Sequence, residues 1–269
     1  MNLPPGAGPP QAGTPPGRQR SRDSGKLGGL ALFDLDLTLL PIDSDHAWDE
    51  FVIGLGWVDA DRFRADNDAF YAQYKQGRLD IDAYIAFATA PLRDRPASEL
   101  AQAHARFMRE VIEPALRPAA LKLVALHRER GDRLAVVTST NDFITAPIAT
   151  RFGIGALIAV RLERDAAGAI TGRIHGMPPY REGKVACVGQ WLAESGLGWG
   201  DFERISVYSD SPNDLPLLER ATDPVAANPS PDGPLTTDHL RPILWVQMGF
   251  AFLLLIVAVI VTVAGHLSP

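Results

Sequence analysis

Apolar positions along the chain fall into short dense runs separated by longer stretches of helical spacing. LALFDLD (30–36), RLAVVTST (133–140) and RISVYSD (204–210) are apolar runs bounded by polar residues, the pattern of strands buried on both faces. Pro118 to Arg130 reads as an amphipathic helix with Leu121, Leu123, Val124 and Leu126 apolar, closed by Gly131. Gly183 to Ser195 reads as another, with Val185, Val188, Trp191 and Leu192 on its inner face. Residues 44–116 contain no strand pattern. There Asp59 is placed to cap a helix running through Phe63, Phe70 and Tyr74 towards Gly77, Asp80 to cap a second and Ser98 a third. Leu157 to Glu163 and Ala169 to Ile174 form a predicted hairpin about Asp165-Ala166-Ala167-Gly168. A short helix at 213–221 and a strand, PVAAN (224–228), follow. Strands alternating with helices predict an α/β fold, a doubly wound parallel sheet covered on both faces. Its core is expected from 30–43 and 117–228, with 44–116 inserted as a helical cap.

The two ends differ from this core. Residues 1–29 hold six Pro and seven Gly and no aromatic residue, so they are expected to be a disordered leader. They contain no apolar stretch of the kind a secretory signal needs. Residues 243–265, ILWVQMGFAFLLLIVAVIVTVAG, carry no charge over 23 positions. At about 1.5 Å per residue such a helix crosses a hydrocarbon core of about 30 Å. Trp245 near one end suits an interface. The expectation is a C-terminal transmembrane helix, joined by a linker at 229–242, that anchors a cytoplasmic catalytic domain. The competing expectation is a terminus altered by a change of reading frame, which leaves a cytoplasmic protein.

The net charge of −6 disfavours a nucleic-acid partner. A single cysteine, Cys187, excludes an intrachain disulfide and a Cys-rich metal site, and fits a reducing compartment.

The chemistry gathers at strand ends. Ligands of open parallel sheets bind beyond the carboxyl ends of the strands. The first strand delivers Asp34, Asp36 and Thr38 there. The second delivers Thr138, Ser139 and Thr140, and the third delivers Asp210 with Asp214 one turn on. Four carboxylates converging in one crevice repel one another, and a hard divalent cation such as Mg²⁺ relieves the repulsion. Lys184, in REGK at a helix start, is placed to pair with Asp34 and with a phosphate, and the Thr138 hydroxyl to donate to the same phosphate.

FDLDLT (33–38), Thr138 at the end of AVVT, Lys184 in REGK and YSDSPNDLPLLE (208–219) occur in the order of the four motifs of the haloacid dehalogenase superfamily. The chain resembles its phosphoserine-phosphatase-like branch, subfamily IB, over about residues 30–228. LPIDSDHAW (40–48) and TNDFITAPIA (140–149) are similar to bacterial phosphoserine and histidinol-phosphate phosphatases. Position 37 departs from the pattern, with Leu where Gly, Ser or His is commoner. The motif-two hydroxyl falls on Thr138 or, in the neighbouring register, on Ser139.

The resemblance implies a Rossmann-like core and a Mg²⁺-dependent phosphomonoesterase. Asp34 is then the nucleophile that forms an aspartyl-phosphate, and Asp36 the general acid and base. Asp34, Asp36 through its carbonyl, and Asp210 are the implied metal ligands. Thr138 and Lys184 hold phosphoryl oxygens, Asp214 orients the metal's water shell, and Asn213 orients Lys184 or the phosphate. Asp43, nine positions after the nucleophile, is the implied binder of a substrate amine, with Asp45 read as a helix cap and Trp48 as core. The implied partner is a small amine-bearing phosphate ester, phosphoserine or histidinol phosphate; for a phosphoserine carboxylate the candidate cations are Arg62 and Arg64. Two alternatives are a phosphatase of a lipid-linked phosphate and a non-catalytic phosphate sensor, the latter disfavoured by the intact Asp34/Asp36 pair.

Overall fold

The computed structural model describes residues 25–93 and 95–227. Strands β1 (Leu27–Phe33), β2 (Arg133–Asn141), β3 (Leu157–Val160), β6 (Phe202–Ser209) and β7 (Asp223–Ala226) form one sheet in the order β3-β2-β1-β6-β7. Every adjacent pair runs parallel, with Phe33 beside Val136 of β2 on one side and Tyr208 of β6 on the other. β1 is therefore central. The chain winds outward from it first through β2 and β3, then returns to its other side through β6 and β7. That reversal opens a crevice at the carboxyl ends of β1, β2 and β6.

The period-two alternation of β1 divides the core. Ala31 and Phe33 face one layer with Val136, Val124, Ile144, Ile148 and the cap residues Trp48, Val52, Ile85 and Phe107. Leu30 and Leu32 face the other, with Ala135, Val137, Val188, Leu192 and Val207. Helices α6 (Pro118–Glu129) and α7 (Asp142–Arg151) cover the first face. Helices α8 (Glu182–Ala193) and α9 (Leu215–Leu218) cover the second. The cap lies between β1 and α6. It holds α1 (Ser44–Gly54), α2 (Ala60–Lys75), α3 (Ile81–Ala88), α4 (Ala97–Phe107) and the single turn α5 (Glu113–Ala115). Asp59 and Asp80 cap α2 and α3 through bonds from Arg62 N and Ala83 N, as the sequence predicts.

The structure corrects several expectations. β1 starts at Leu27, inside the stretch expected to be a leader. Gly29 has a structural origin: a Cβ there would lie 2.1 Å from Asp132 Oδ1. Ser98 does not cap α4, which begins behind Pro96 with no side-chain cap. The predicted strand 157–163 is divided at Arg161. β3 joins the main sheet, and only β4 (Leu162–Arg164) pairs with β5 (Ile170–Ile174) as a hairpin. Leu121 and Leu126 of α6 are exposed, and Val124 alone of the four is fully buried. The helix expected at 213–221 is a 3₁₀ turn, Pro212–Asp214, followed by α9. Residues 1–24, the linker and the apolar segment 243–265 lie outside the described residues. Within those described, no helix is long and apolar enough to cross a membrane.

The cap is fixed to the core through aromatic packing about Trp48. Phe107 meets it edge-on at 5.1 Å and Phe143 of α7 does so at 5.4 Å. Phe107→Ala removes a fully buried ring from this joint. It should cost about 3–5 kcal/mol of unfolding free energy in urea titrations. A loss below about 1 kcal/mol would show that the cap contributes little to the cooperative core.

Candidate active site

β1 ends where the Asp34 N–H donates to the Tyr208 carbonyl at 2.9 Å. The chain then turns sharply. Asp36 is extended (φ −72°, ψ 133°) and Leu37 is left-handed (φ 57°, ψ 0°), with Leu40 N bonded back to the Leu35 carbonyl at 2.9 Å. A left-handed backbone is disfavoured for Leu, which gives a physical reason why smaller residues suit position 37. The turn aims Asp34, Asp36 and Thr38 into the crevice. Thr38 Oγ1 donates to Asp210 Oδ1 at 3.2 Å and accepts from Asp210 N at 3.1 Å, tying the end of β1 to the end of β6.

Lys184 enters from α8. A second left-handed non-glycine residue, Arg181 (φ 53°, ψ −121°), precedes that helix. Gly183 then passes so close to Pro178 that a Cβ would lie 2.3 Å from its carbonyl oxygen. The Lys184 ammonium, 2% exposed, donates to Asp34 Oδ1 at 3.0 Å and to Asp214 Oδ2 at 2.6 Å. Ser209 Oγ donates to the same Asp214 oxygen at 2.7 Å. Burial opposes the charge on Lys184, but Asp214 and Asp34 outweigh it and hold the ammonium above its ordinary range. Burial raises Asp34 well above a normal carboxylate. Lys184 opposes the rise, while Asp214, Asp210 and Asp36 add to it. Asp210 is also raised, chiefly by burial.

Asp36 is held from both sides. Ser44 N donates to Oδ1 at 2.7 Å and Thr140 Oγ1 donates to Oδ2 at 2.8 Å. Burial and then the Asp43 charge lift its carboxyl to about 7, against those bonds. Thr138 is buried and accepts from Thr140 N at 3.1 Å, whereas Ser139 Oγ is committed to the Pro179 carbonyl at 2.9 Å.

Three expected roles meet a different geometry. Asp43 Oδ1 accepts from Asp45 N and His46 N, both at 3.0 Å, so Asp43 caps α1. Asp45, read as the cap, instead turns inward and accepts from Tyr84 OH at 2.6 Å. Asn213 Nδ2 donates to the Tyr74 carbonyl of α2 at 3.3 Å rather than to the phosphate side of Lys184. Tyr74 OH meets Ser211 Oγ at 3.1 Å, and Arg181 Nη1 donates to the Gly77 carbonyl at 2.7 Å. These bonds join α2 and the turn after it to the loops that carry Asp214 and Lys184. Ser44, Ser209 and Arg181 carry no local signal in the sequence as parts of the site, and Thr140 carries one only as a polar residue at the end of β2.

Asp34, Asp36, Thr138, Lys184, Asp210 and Asp214 thus converge at one end of the sheet. Within a match to the family model for haloacid dehalogenase-like hydrolases, they lie inside the matched residues 31–219. The chain is similar to a histidinol-phosphatase of Neisseria meningitidis, 46% identical over 200 residues, 74% of this chain and 90% of that protein. It is 30% identical over 210 residues to a phosphoserine phosphatase of Mycobacterium tuberculosis, 76% of this chain and 66% of that protein. Among solved structures, a Bordetella pertussis protein of unknown function superposes with TM-score 0.73 at 46% identity, covering 82% of this chain and 96% of that one. A substrate-bound phosphoserine phosphatase, 20% identical, superposes with TM-score 0.56 over 81% of this chain and 98% of that one, a likeness of fold.

Removing the Lys184 charge leaves Asp34 and Asp214 buried without a counter-ion. Lys184→Met should cost about 3–5 kcal/mol at pH 8, measured by denaturant unfolding, and the loss should shrink at pH 5 as Asp34, whose carboxyl burial already raises, takes up a proton. A second outcome follows from the raised carboxyls. Asp36 and Asp45 stand at about 7 and Asp49 at about 9, each mainly through burial. The fold keeps protons that the unfolded chain releases near pH 4, so their stabilisation is full below that pH and is lost as pH rises through 7 and 9. Asp132 works the other way. Despite its burial, bonds from His127 and Arg204 hold it low, so its contribution disappears in acid. The Tm in EDTA should therefore peak near pH 5 and fall towards pH 9, with Asp49→Asn flattening the alkaline side. A Tm that rises from pH 5 to 9 would contradict this electrostatic account. By its family match and its relatives, the chain belongs to the haloacid dehalogenase-like hydrolases, as a phosphoric monoester hydrolase.

Proposed function

We propose that the protein hydrolyses histidinol phosphate through an aspartyl-phosphate on Asp34, with Mg²⁺ as cofactor. The observation that carries the substrate is the 46% identity to the Neisseria histidinol-phosphatase across 90% of that enzyme. The site is consistent with it. Phosphoserine would bring a carboxylate needing a cation, yet Arg62 and Arg64 lie on the surface of α2, paired with Asp66 and Glu50.

In the first half-reaction an Asp34 oxygen attacks phosphorus, the P–O bond to the alcohol breaks, and Asp36 gives its proton to the leaving alkoxide. In the second, water attacks the phosphorus of the acyl phosphate, Asp36 takes the water's proton, and Asp34 is released. A carboxyl lifted to about 7 suits a group that must give and take a proton near neutrality. Lys184 and Thr138 hold the phosphoryl oxygens. Thr138 is preferred to Ser139 because its proton is not committed to a backbone carbonyl.

The donor set fits Mg²⁺. Asp34, Asp210 and the main-chain carbonyl of Asp36 offer oxygen only, and Asp214, Asp210 and Asp36 each add to the negative charge that Lys184 opposes at Asp34. Among the described residues no three acidic, His or Cys side chains could enclose an ion alone. Water and backbone oxygen must complete the shell, as Mg²⁺ tolerates. A bound Mg²⁺ supplies positive charge that stabilises the transferring phosphoryl group. Asp214 stays within reach of the Lys184 ammonium and keeps it oriented.

Phosphate release from histidinol phosphate should need Mg²⁺, stop in EDTA and return on adding the ion. Asp34→Asn should abolish turnover and the hydroxylamine-sensitive phosphoenzyme trapped in a rapid quench. Asp36→Asn should slow both half-reactions by about 10²–10⁴-fold. Full turnover by Asp34→Asn would remove the covalent mechanism, and a kcat/KM that favours phosphoserine over histidinol phosphate would remove the substrate.

A further inference from the structure

The start of α1 holds more buried charge than phosphoryl transfer uses. Asp45 and Asp49 lie one turn apart on the same face of the helix. They are 8% and 1% exposed. Tyr84 of α3 donates to Asp45 Oδ2 at 2.6 Å. Asp45 Oδ1 and both oxygens of Asp49 have no hydrogen-bond partner. Among the described residues no Lys, Arg or His forms an ion pair with either. The neighbouring charge that bears most on Asp49 is that of Asp45, one helical turn away. Trp48, between them in the chain and equally buried, has an indole N–H with no acceptor.

Such an arrangement weakens an empty protein. Each unpartnered buried carboxyl forfeits its hydration, and a second carboxyl beside it adds repulsion. Nothing in the fold requires acids there: α1 is already capped by Asp43, and an apolar pair would pack the same helix face. Local rules broken without structural benefit are characteristic of binding sites.

The position suits one part of the substrate. Ser44, the residue before Asp45, bonds through its N–H to Asp36, the group assigned to the leaving oxygen. The acids therefore begin next to the point where the alcohol leaves. In histidinol the carbon chain from that oxygen bears first an ammonium and then an imidazole. Both are hydrogen-bond donors, and neither carries negative charge.

We propose that Asp45 and Asp49, with Tyr84, form the subsite that binds the ammonium–imidazole end of the substrate. The inference rests on the histidinol phosphate reading and moves amine recognition from Asp43, whose carboxylate is occupied as a helix cap, to the two acids inside. Phosphoserine would place there a carboxylate with no cation to meet it, so the subsite also selects against that substrate.

Two arms test this on the full-length, Mg²⁺-loaded enzyme. In the first, L-histidinol, which lacks the phosphate, is titrated at millimolar concentration in a thermal-shift assay against L-serine as control. The wild type should gain Tm with histidinol alone, and Asp49→Asn and Asp45→Asn should lose that gain. A wild-type Tm that histidinol leaves unmoved, or a gain equal in wild type and variants, overturns the subsite whatever the substrate proves to be. In the second, kcat/KM is measured for histidinol phosphate and p-nitrophenyl phosphate. The ratio of the two should fall about 10- to 100-fold in each variant, mostly through KM, as expected for loss of a charge-assisted hydrogen bond. Equal losses on both substrates would make the acids structural and overturn the subsite. A wild type that hydrolyses p-nitrophenyl phosphate but not histidinol phosphate would overturn the substrate reading, while the histidinol titration still judges the subsite by itself.

Discussion

The ion pairs of Lys184 with Asp34 and Asp214 hold together two strand ends that would otherwise push apart. Asp34 closes β1 and Asp214 follows β6, and Asp210 and Asp36 add further negative charge to the same space. A buried ion pair contributes little net stability, because desolvation cancels most of the attraction. Its value here is positional. With Lys184 in place, an Asp34 oxygen is fixed at the crevice and Asp214 is kept from turning outward. The rest of the local structure serves that placement. Gly183 lets the chain pass Pro178, Arg181 adopts a left-handed backbone, and α8 starts at the depth from which the lysine reaches 3.0 Å from Asp34.

Both left-handed non-glycine residues among those described, Leu37 and Arg181, flank this site. Each such residue costs on the order of 1–3 kcal/mol and persists only where its surroundings impose it. Leu37 is imposed by the turn that sends Asp34 and Asp36 in the same direction. Arg181 is imposed by the loop before α8 and bonds the Gly77 carbonyl of the cap. Strain is thus concentrated where two acids and one lysine must be aimed, while the sheet beneath is regular.

Much of this was legible in the chain because it rests on local pattern. Apolar runs ending in acids located β1 and β6, helical spacing without strands marked the cap, and the aspartates just before α2 and α3, Asp59 and Asp80, announced themselves as caps. What was not legible depends on distance in three dimensions. Asp43 and Asp45 are near neighbours with the same side chain, and only the direction of the helix start decides which of them caps and which turns inward. Thr140 reaches Asp36 across 104 positions of sequence, so β2 had to be placed beside β1 before the contact existed. Gly29 looked like part of a flexible leader until Asp132 was seen against it. β3 and β4 read as one strand because nothing local marks Arg161 as the point where the chain leaves the sheet.

The bonds that join cap to core come from the same short segments that carry Asp210, Asp214 and Lys184. Ser211 and Asn213 stand beside Asp210 and Asp214, and Arg181 stands three residues before Lys184. Each bond contributes about 1 kcal/mol net, so together they favour closure by only a few kcal/mol and break readily. Their location makes the cap's opening answerable to whatever occupies the crevice. Any movement of the cap away from the core must therefore break bonds that begin in the loops carrying Asp210, Asp214 and Lys184.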